Sequence, residues 1–187
     1  MRPVIPAIAL LLVLAATAQA TTNEAFEARV VGVSDGDTIS VQDSRAPPRK
    51  IRLAGIDAPE KGQSFGDRSK KNLSSLVFGK TVRIEWSKSD KYGRIVGKVL
   101  IAPSGSCAVP PCPATLDVNL AQIAAGYAWH YRQYEKEQSK RDREAYGIAE
   151  RHARDQKLGL WRDPEPVPPW EWRHGPNGGS ARKPPGG

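Results

Sequence analysis

The fold is decided by a β-rich stretch near the start of the chain, residues 26–53, which reads FEARVVGVSDGDTISVQDSRAPPRKIRL. Its Val and Ile residues fall in three short runs, Phe26–Val33, Ile39–Gln42 and Lys50–Leu53, and each run predicts a strand. The SDGD segment at 34–37 is typical of a tight turn. We therefore expect the first two strands to form a hairpin.

Two more strands and a helix follow. The alternation in Thr81–Trp86 and the apolar run Ile95–Ile101 predict the strands. Between the third and fourth strands, the apolar residues of Ser64–Phe78 are spaced as one face of a helix that ends before Gly79. Five short strands in a small domain indicate a barrel or a curled sheet.

The second half of the chain has a helical pattern. A short helix is predicted from Leu116 to near Gly126, and a longer charged helix over Tyr134–Lys157. The fold class is therefore α+β. Residues 163–187 are rich in Pro and Gly, which predicts a flexible tail. Trp170 and Trp172 are unusual for a linker. They are expected to pack either on the domain or on a partner.

The composition favours a polyanionic partner. The chain has 187 residues, a formal net charge of +8 and 39% hydrophobic residues, which suits one ordered domain with a tail. An excess of positive charge favours nucleic acid first and an anionic membrane surface second. No feature of the sequence indicates an oligomer, so a monomer is the default.

Residues 1–20 have the pattern of a signal peptide. Arg2 precedes an apolar run, and the segment ends in Ala18-Gln19-Ala20, a small-x-small cleavage pattern. The alternative is an uncleaved membrane anchor, although the run is short for a permanent span. We expect a periplasmic or secreted protein without a permanent membrane span, divided into a signal peptide (1–20), a folded domain (21–162) and the tail (163–187).

The two cysteines are too few for a disulfide scaffold or a four-cysteine zinc site. Cys107 and Cys112 lie five positions apart, and an oxidising compartment favours a disulfide between them. Such a bond closes a short loop, so it would stabilise the whole fold only modestly.

Three acids and two arginines suggest chemistry on phosphate. Asp37 and Asp57 follow strand-like segments, and loop carboxylates suit a hard divalent cation such as Ca²⁺. Glu60 is close enough along the chain to act as general base on a metal-bound water. Arg52 and Arg94 have planar guanidinium groups that match phosphate oxygens. Each segment taken alone is also explained as a simple turn, but their combination predicts phosphodiester hydrolysis.

The segments around these residues, Ser34–Thr38, Ile51–Glu60 and Asp90–Arg94, resemble the thermonuclease (staphylococcal nuclease) family. The similarity runs from about Phe26 to Trp161. It implies a five-stranded OB-type β-barrel with three helices and a calcium-dependent nuclease that cleaves DNA and RNA.

The resemblance also implies roles for individual residues. Asp37 and Asp57 match the metal carboxylates, and Ala58 matches a position whose main-chain carbonyl binds the metal. Glu60 matches the residue that activates or orients water, and Arg52 and Arg94 match the arginines that hold the phosphate. Tyr92 matches a tyrosine of the nucleotide pocket, and Trp129 and Tyr131 lie where the family has base-stacking aromatics.

The alternative to an enzyme is a non-catalytic nucleic-acid-binding OB-fold module. Such a module would have lost its acids, whereas this sequence keeps Asp37, Asp57 and Glu60. A barrel that binds oligosaccharide or protein is a third possibility, but it leaves the acids and arginines unexplained.

Overall fold

A computed structural model describes residues 24–43, 46–103 and 112–175 of the chain. The strands are β1 Glu24–Val33, β2 Thr38–Gln42, β3 Arg49–Leu53, β4 Ile56–Asp57, β5 Thr81–Ser89, β6 Ile95–Ile101, β7 Leu116–Asp117 and β8 Trp129–His130. The α-helices are α1 Gly66–Val77, α2 Val118–Ala124, α3 Lys140–Asp155 and α4 Pro169–Trp172. Two 3-10 helices cover Arg132–Glu137 and Gly159–Arg162.

Five of the strands close into a mixed β-barrel. β1 pairs antiparallel with β2 and β5, and the same sense continues from β2 to β3 and from β5 to β6. A parallel pairing of β3 with β6, with Ile51 opposite Ile95, closes the barrel. β7 extends the edge of β6, and β4 pairs separately with β8. The predicted α+β fold with a five-stranded OB-type barrel is therefore confirmed.

The core lies inside the barrel and under the helices. It combines alternate strand residues, such as Ile39 and Ile51, with Leu73 of α1, Ile123 of α2 and Tyr146 of α3. Complete burial of a side chain of this kind contributes about 1.5–3 kcal/mol, so the core fixes the barrel firmly. The loops at the barrel's end are thereby held on a rigid frame.

The long helix begins later than the sequence predicts. Residues 132–137 form a 3-10 helix, and Tyr134 within it has a non-helical φ of −114°. α3 begins after Ser139, whose side chain accepts a hydrogen bond from the Asp142 amide. An N-cap of this kind satisfies an amide that the first helical turn leaves without a partner, so it fixes the start of α3 at Lys140.

Residues 163–175 differ from the expected flexible tail, because they pack against the domain. Trp170 of α4 joins a second apolar cluster with Trp129 and Trp161, and Pro169 is buried. Tryptophan rings bury large apolar areas, which offsets the cost of ordering a segment rich in proline.

The remainder of the predicted tail, the predicted signal peptide and Cys107 lie outside the described residues. The signal peptide and the Cys107–Cys112 disulfide therefore stay predictions. Within the described ranges, none of the helices has the length and apolar character that a membrane crossing requires.

Candidate active site

Asp37, Arg52 and Asp57 meet at one end of the barrel, and we call these three residues the barrel wall. Asp37 ends the turn before β2, Arg52 is on β3, and Asp57 is on β4. The pairing of β2 with β3 places Thr38 opposite Arg52, and the Leu53 amide donates to the Asp37 carbonyl at 2.8 Å. The strand register therefore brings together residues that are far apart in sequence.

The Arg52 guanidinium links the two aspartates. Its Nη2 lies 3.1 Å from Asp37 Oδ2 and 2.7 Å from Asp57 Oδ1. Its Nη1 donates to the carbonyls of Leu53 at 3.0 Å and Ile56 at 2.9 Å. Arg52 thus compensates two buried carboxylates and closes the turn between β3 and β4.

Asp37 is held in a fixed orientation and out of water. The Ala58 amide donates to its Oδ2 at 2.7 Å, and the Thr38 hydroxyl donates to its Oδ1 at 3.1 Å. Burial, together with the charges of Asp35 and Asp57, raises the pKa of Asp37 to about 7 although Arg52 opposes the shift. Arg52 therefore offsets only part of the cost of burying a charged carboxylate at this position.

Gly36 lets this acidic turn lie against α1. A Cβ at position 36 would come within 1.9 Å of Ser69 Oγ and 2.7 Å of the Ala58 Cβ. A side chain there would push the turn away from both neighbours. The Gly between the two aspartates of the SDGD segment therefore serves close packing as well as the turn.

Glu60 lies at the rim of the same cleft. Its amide donates to Gln63 Oε1 at 2.9 Å, which holds the short loop after β4. Its side chain is 36% exposed, in contrast to the buried carboxylates of Asp37 and Asp57. Glu60 can therefore reach water and still lie beside the barrel wall.

Arg173 is a site residue that the sequence interpretation missed. Its Nη2 donates to Asp57 Oδ2 at 2.8 Å, and its Nη1 donates to Glu60 Oε1 at 2.7 Å. Burial alone would lower the pKa of Arg173, but the hydrogen bonds to Asp57 and Glu60 raise it, so the side chain stays charged. The only sequence signal for this contact was the pair of tryptophans in the Pro-rich segment.

The turn at residues 90–94 lines another part of the cleft, and we call it the hairpin wall. It connects β5 to β6 tightly, and Gly93 within it has a φ of 76°. Arg94 Nε donates to Asp90 Oδ2 at 2.7 Å. Burial alone would raise the pKa of Asp90, but the hydrogen bonds from Arg94 lower it. Tyr92 is 67% exposed, with the Arg94 guanidinium 5.4 Å from its ring centre.

One cleft collects nearly all the predicted site residues. Its lining includes Asp37, Arg52, Asp57, Ala58, Glu60, Tyr92, Arg94 and Tyr131. Trp129 is the exception, because its ring is buried against Trp161 at 4.3 Å between centres and does not line the cleft. Tyr131 faces the cleft but is covered by the Trp170 ring, which stacks on it at 5.6 Å.

Within the described ranges, no group of three or more His, Cys, Asp or Glu side chains is arranged to hold a metal ion. A cation bound here would therefore have fewer than three protein carboxylates as ligands. The residues that could supply oxygen ligands are Asp37, Asp57 and the main-chain carbonyl of Ala58.

Comparison with known proteins gives a consistent result. A family model described as staphylococcal nuclease homologue matches residues 50–163. An Escherichia coli protein named uncharacterized endonuclease is 47% identical over 146 residues, which cover 78% of this chain and 84% of that protein. A micrococcal nuclease of Shigella flexneri is 40% identical over 79% of this chain and 80% of its own length. An uncharacterized endonuclease of Haemophilus influenzae is 36% identical over 87% and 82%, respectively.

Proposed function

Since this chain belongs to the staphylococcal nuclease family and is a nuclease, we propose that it hydrolyses phosphodiester bonds of both DNA and RNA and uses Ca²⁺ to do so. The observation that carries this proposal is the shared cleft, in which Asp37, Asp57 and Glu60 lie with Arg52 and Arg94. A binding module without catalysis has no need for three acids in a cleft meant for polyanions.

The donor set fits a hard divalent cation. Carboxylate and carbonyl oxygens are the ligands Ca²⁺ prefers, and it tolerates an irregular site completed by water. The raised pKa of Asp37 is consistent with this, because Arg52 only partly offsets the burial of that carboxylate and a bound cation would favour its charged form. We propose that Asp37, Asp57 and the Ala58 carbonyl hold it. Bound there, Ca²⁺ would supply Lewis acidity to a phosphate oxygen.

Glu60 is the proposed general base. Its carboxylate is accessible to solvent and lies beside Asp57, since one Arg173 side chain contacts both. Glu60 takes a proton from water as the water oxygen attacks phosphorus, in line with the oxygen that leaves. General bases contribute about 10²–10⁴-fold to a rate.

The two arginines act on the phosphate from different parts of the cleft lining. Arg94 lies on a turn and donates to Asp90 through Nε, so its Nη atoms can donate to phosphate oxygens. Both Nη atoms of Arg52 already contact protein acceptors, so its proposed contribution is mainly the positive charge that attracts the phosphate. Together they stabilise the negative charge that develops on the phosphate oxygens.

We propose weak sequence preference. Contacts to phosphate carry no base information, and the exposed Tyr92 ring at the cleft offers every base the same stacking surface. Single strands and fraying duplexes expose bases for such stacking, so they are the favoured substrates. We also propose that the protein acts in the periplasm or the medium, as its N-terminal sequence predicts, and that it acts as a monomer.

Digestion of plasmid DNA and of RNA by the purified protein tests the proposal. Cleavage of both substrates in calcium, its loss in chelator, and its return when calcium is restored are expected. Binding of nucleic acid without cleavage in calcium would contradict the proposal and favour the non-catalytic module. Cleavage that persists in chelator would contradict the calcium requirement alone.

A further inference from the structure

The Glu60 carboxylate has one side-chain partner among the described residues, and that partner is Arg173. Their Oε1 and Nη1 atoms lie 2.7 Å apart. Glu60 is otherwise tied only through its main-chain amide, which leaves the side-chain torsions free. A long, half-exposed carboxylate without a partner samples several rotamers, and fixing them costs conformational entropy.

Arg173 fixes Glu60 relative to Asp57, because its planar guanidinium spans both acids. Nη1 contacts Glu60 Oε1 and lies 3.2 Å from Asp57 Oδ1, while Nη2 contacts Asp57 Oδ2 at 2.8 Å. A guanidinium holds such a two-sided contact in one geometry, which a lysine ammonium does not. Asp57 is 1% exposed and immobilised by Arg52, so it serves as the fixed end.

Arg173 is itself held in place by the packing of its segment. Trp170, three residues earlier, stacks on Tyr131 and meets the Trp129 ring at 5.5 Å. The Arg173 amide donates to the Pro169 carbonyl at the end of α4. Gln63 Nε2 donates to the Val167 carbonyl at 2.7 Å, and Gln63 Oε1 accepts from the Glu60 amide, so Gln63 joins the Glu60 loop to this segment.

We propose that Arg173 is a positioning residue for the nuclease reaction, and that residues 163–175 belong to the active site although they lie almost wholly beyond the family match. This inference rests on the function proposed for Glu60. Arg173 holds the Glu60 carboxylate toward the attacking water, beside Asp57. Misplacing a reacting group by about 1 Å can cost about 10²-fold in rate.

The test measures kcat and KM on single-stranded DNA at saturating calcium. Arg173→Ala should lower kcat by about 10–100-fold and leave KM within about twofold, because the loss lies in orientation and not in substrate binding. Arg173→Lys keeps the positive charge but not the planar guanidinium, so its kcat should lie between those of wild type and Arg173→Ala. Arg162→Ala is the matched control, since Arg162 is an exposed arginine of the same region outside the cleft and should match wild type.

A double variant separates positioning from mere structural support. If Arg173 acts through Glu60, adding Arg173→Ala to Glu60→Gln should change kcat by less than about twofold, because the two effects are not additive.

Calcium titration without substrate provides a readout other than activity. Arg173→Ala should bind Ca²⁺ as tightly as wild type or more tightly, because a positive charge has left the site. Thermal unfolding shows whether each variant is folded. If Arg173→Ala does not fold, the same measurements are made on Arg173→Lys.

Several results would overturn the inference. They are a raised KM with unchanged kcat, additive losses in the double variant, lost calcium binding in Arg173→Ala, and faster cleavage by Arg173→Ala, which would make the segment an inhibitor. Unchanged kinetics in Arg173→Ala beside an active wild type would also overturn it, without touching the proposed nuclease function. An inactive wild type would instead contradict the proposed function, and with it the role of Arg173.

Discussion

The barrel wall lies almost entirely out of water, whereas the hairpin wall is more open to it. Asp57 and Asp37 are 1% and 6% exposed and share one guanidinium, while the Asp90 and Arg94 side chains are 19% and 27% exposed and Tyr92 is 67% exposed. Charges buried together need fixed partners, so the barrel wall is built to hold one geometry. Exposed groups on a turn adapt at little cost, so the hairpin wall can follow different substrates. One cleft thus combines a rigid wall with an adaptable one.

The largest expected effect falls on Glu60, at the rim between the two walls. Glu60→Gln keeps the shape of the side chain but removes the base, so kcat should fall by about 10²–10⁴-fold. The melting temperature should change little, because the carboxylate is partly in water. Glu27→Gln, an exposed acid on β1, is the control and should cleave like wild type. Comparable cleavage by Glu60→Gln would remove the general base from the mechanism.

The next largest effect concerns the free energy of unfolding, which should fall more when an arginine is removed from the barrel wall than when one is removed from the hairpin wall. Arg52→Ala leaves buried Asp37 without its ion pair, and breaking such a pair costs about 3–5 kcal/mol. Arg94→Ala breaks a partly exposed pair with Asp90, and pairs near the surface are worth about 0–1 kcal/mol. Chemical denaturation of both variants in calcium-free buffer measures the difference. Equal losses would contradict the contrast between the walls.

The cost of Arg52→Ala should also depend on pH. Burial already raises the pKa of Asp37 from 3.8 to about 7, and removal of Arg52 raises it further. Between pH 4 and 7 folded Asp37 holds its proton in both proteins, so both lose stability in parallel as pH rises. Above pH 7 wild type releases that proton while the variant keeps it, so the variant continues to lose stability. The loss relative to wild type should therefore be smaller at pH 5 than at pH 8. A loss that does not vary with pH would mean that Asp37 is not the group left uncompensated.

Arg94 should matter for the rate although it matters little for the fold. Removal of one donor that stabilises a developing oxyanion costs about 2.7–4 kcal/mol of barrier, so Arg94→Ala should lose about 10²–10³-fold in kcat. Arg83→Ala removes an arginine that does not line the cleft, and this control variant should cleave normally. If Arg94→Ala raised KM and left kcat unchanged, Arg94 would bind substrate without stabilising the transition state.

The smallest expected effect is at Tyr92. Stacking of a base on an aromatic ring is worth about 1–3 kcal/mol, and an exposed ring should lie at the low end. Tyr92→Ala should therefore weaken binding of single-stranded DNA by about fivefold, as measured by KM, while Tyr92→Phe keeps the ring and the affinity. Equal affinity in Tyr92→Ala would show that the hairpin wall takes no part in stacking.

The sequence predicts the barrel and the barrel wall well for a physical reason. Strands such as Thr81–Ser89 alternate with a period of two, and that alternation is visible without knowing the neighbours. Asp37 ends the turn before β2, and Asp57 lies on β4, five positions after Arg52. The register of β2 with β3 brings Asp37 to Arg52, and the turn between β3 and β4 brings Asp57 to it.

The parts that the sequence did not predict depend on distant contacts. Arg173 meets Glu60 across 113 positions of the chain, through a segment whose Pro content indicated disorder. Trp129 was expected to stack on bases, but its indole packs in the core with Trp161, because the same residue type serves both purposes. The start of α3 was missed because charged residues before Ser139 fit a helix as well as they fit a 3-10 turn.

Calcium titration of the wild-type protein, Asp37→Asn and Asp57→Asn by isothermal calorimetry tests the central claim most directly, with circular dichroism to verify folding. If Asp37 and Asp57 form one cation site on the barrel wall, as we propose, wild type should bind a single calcium ion. Each folded variant should bind it at least about tenfold more weakly, since each loses one charged ligand. No calcium binding by wild type, or equal binding by the variants, would contradict it.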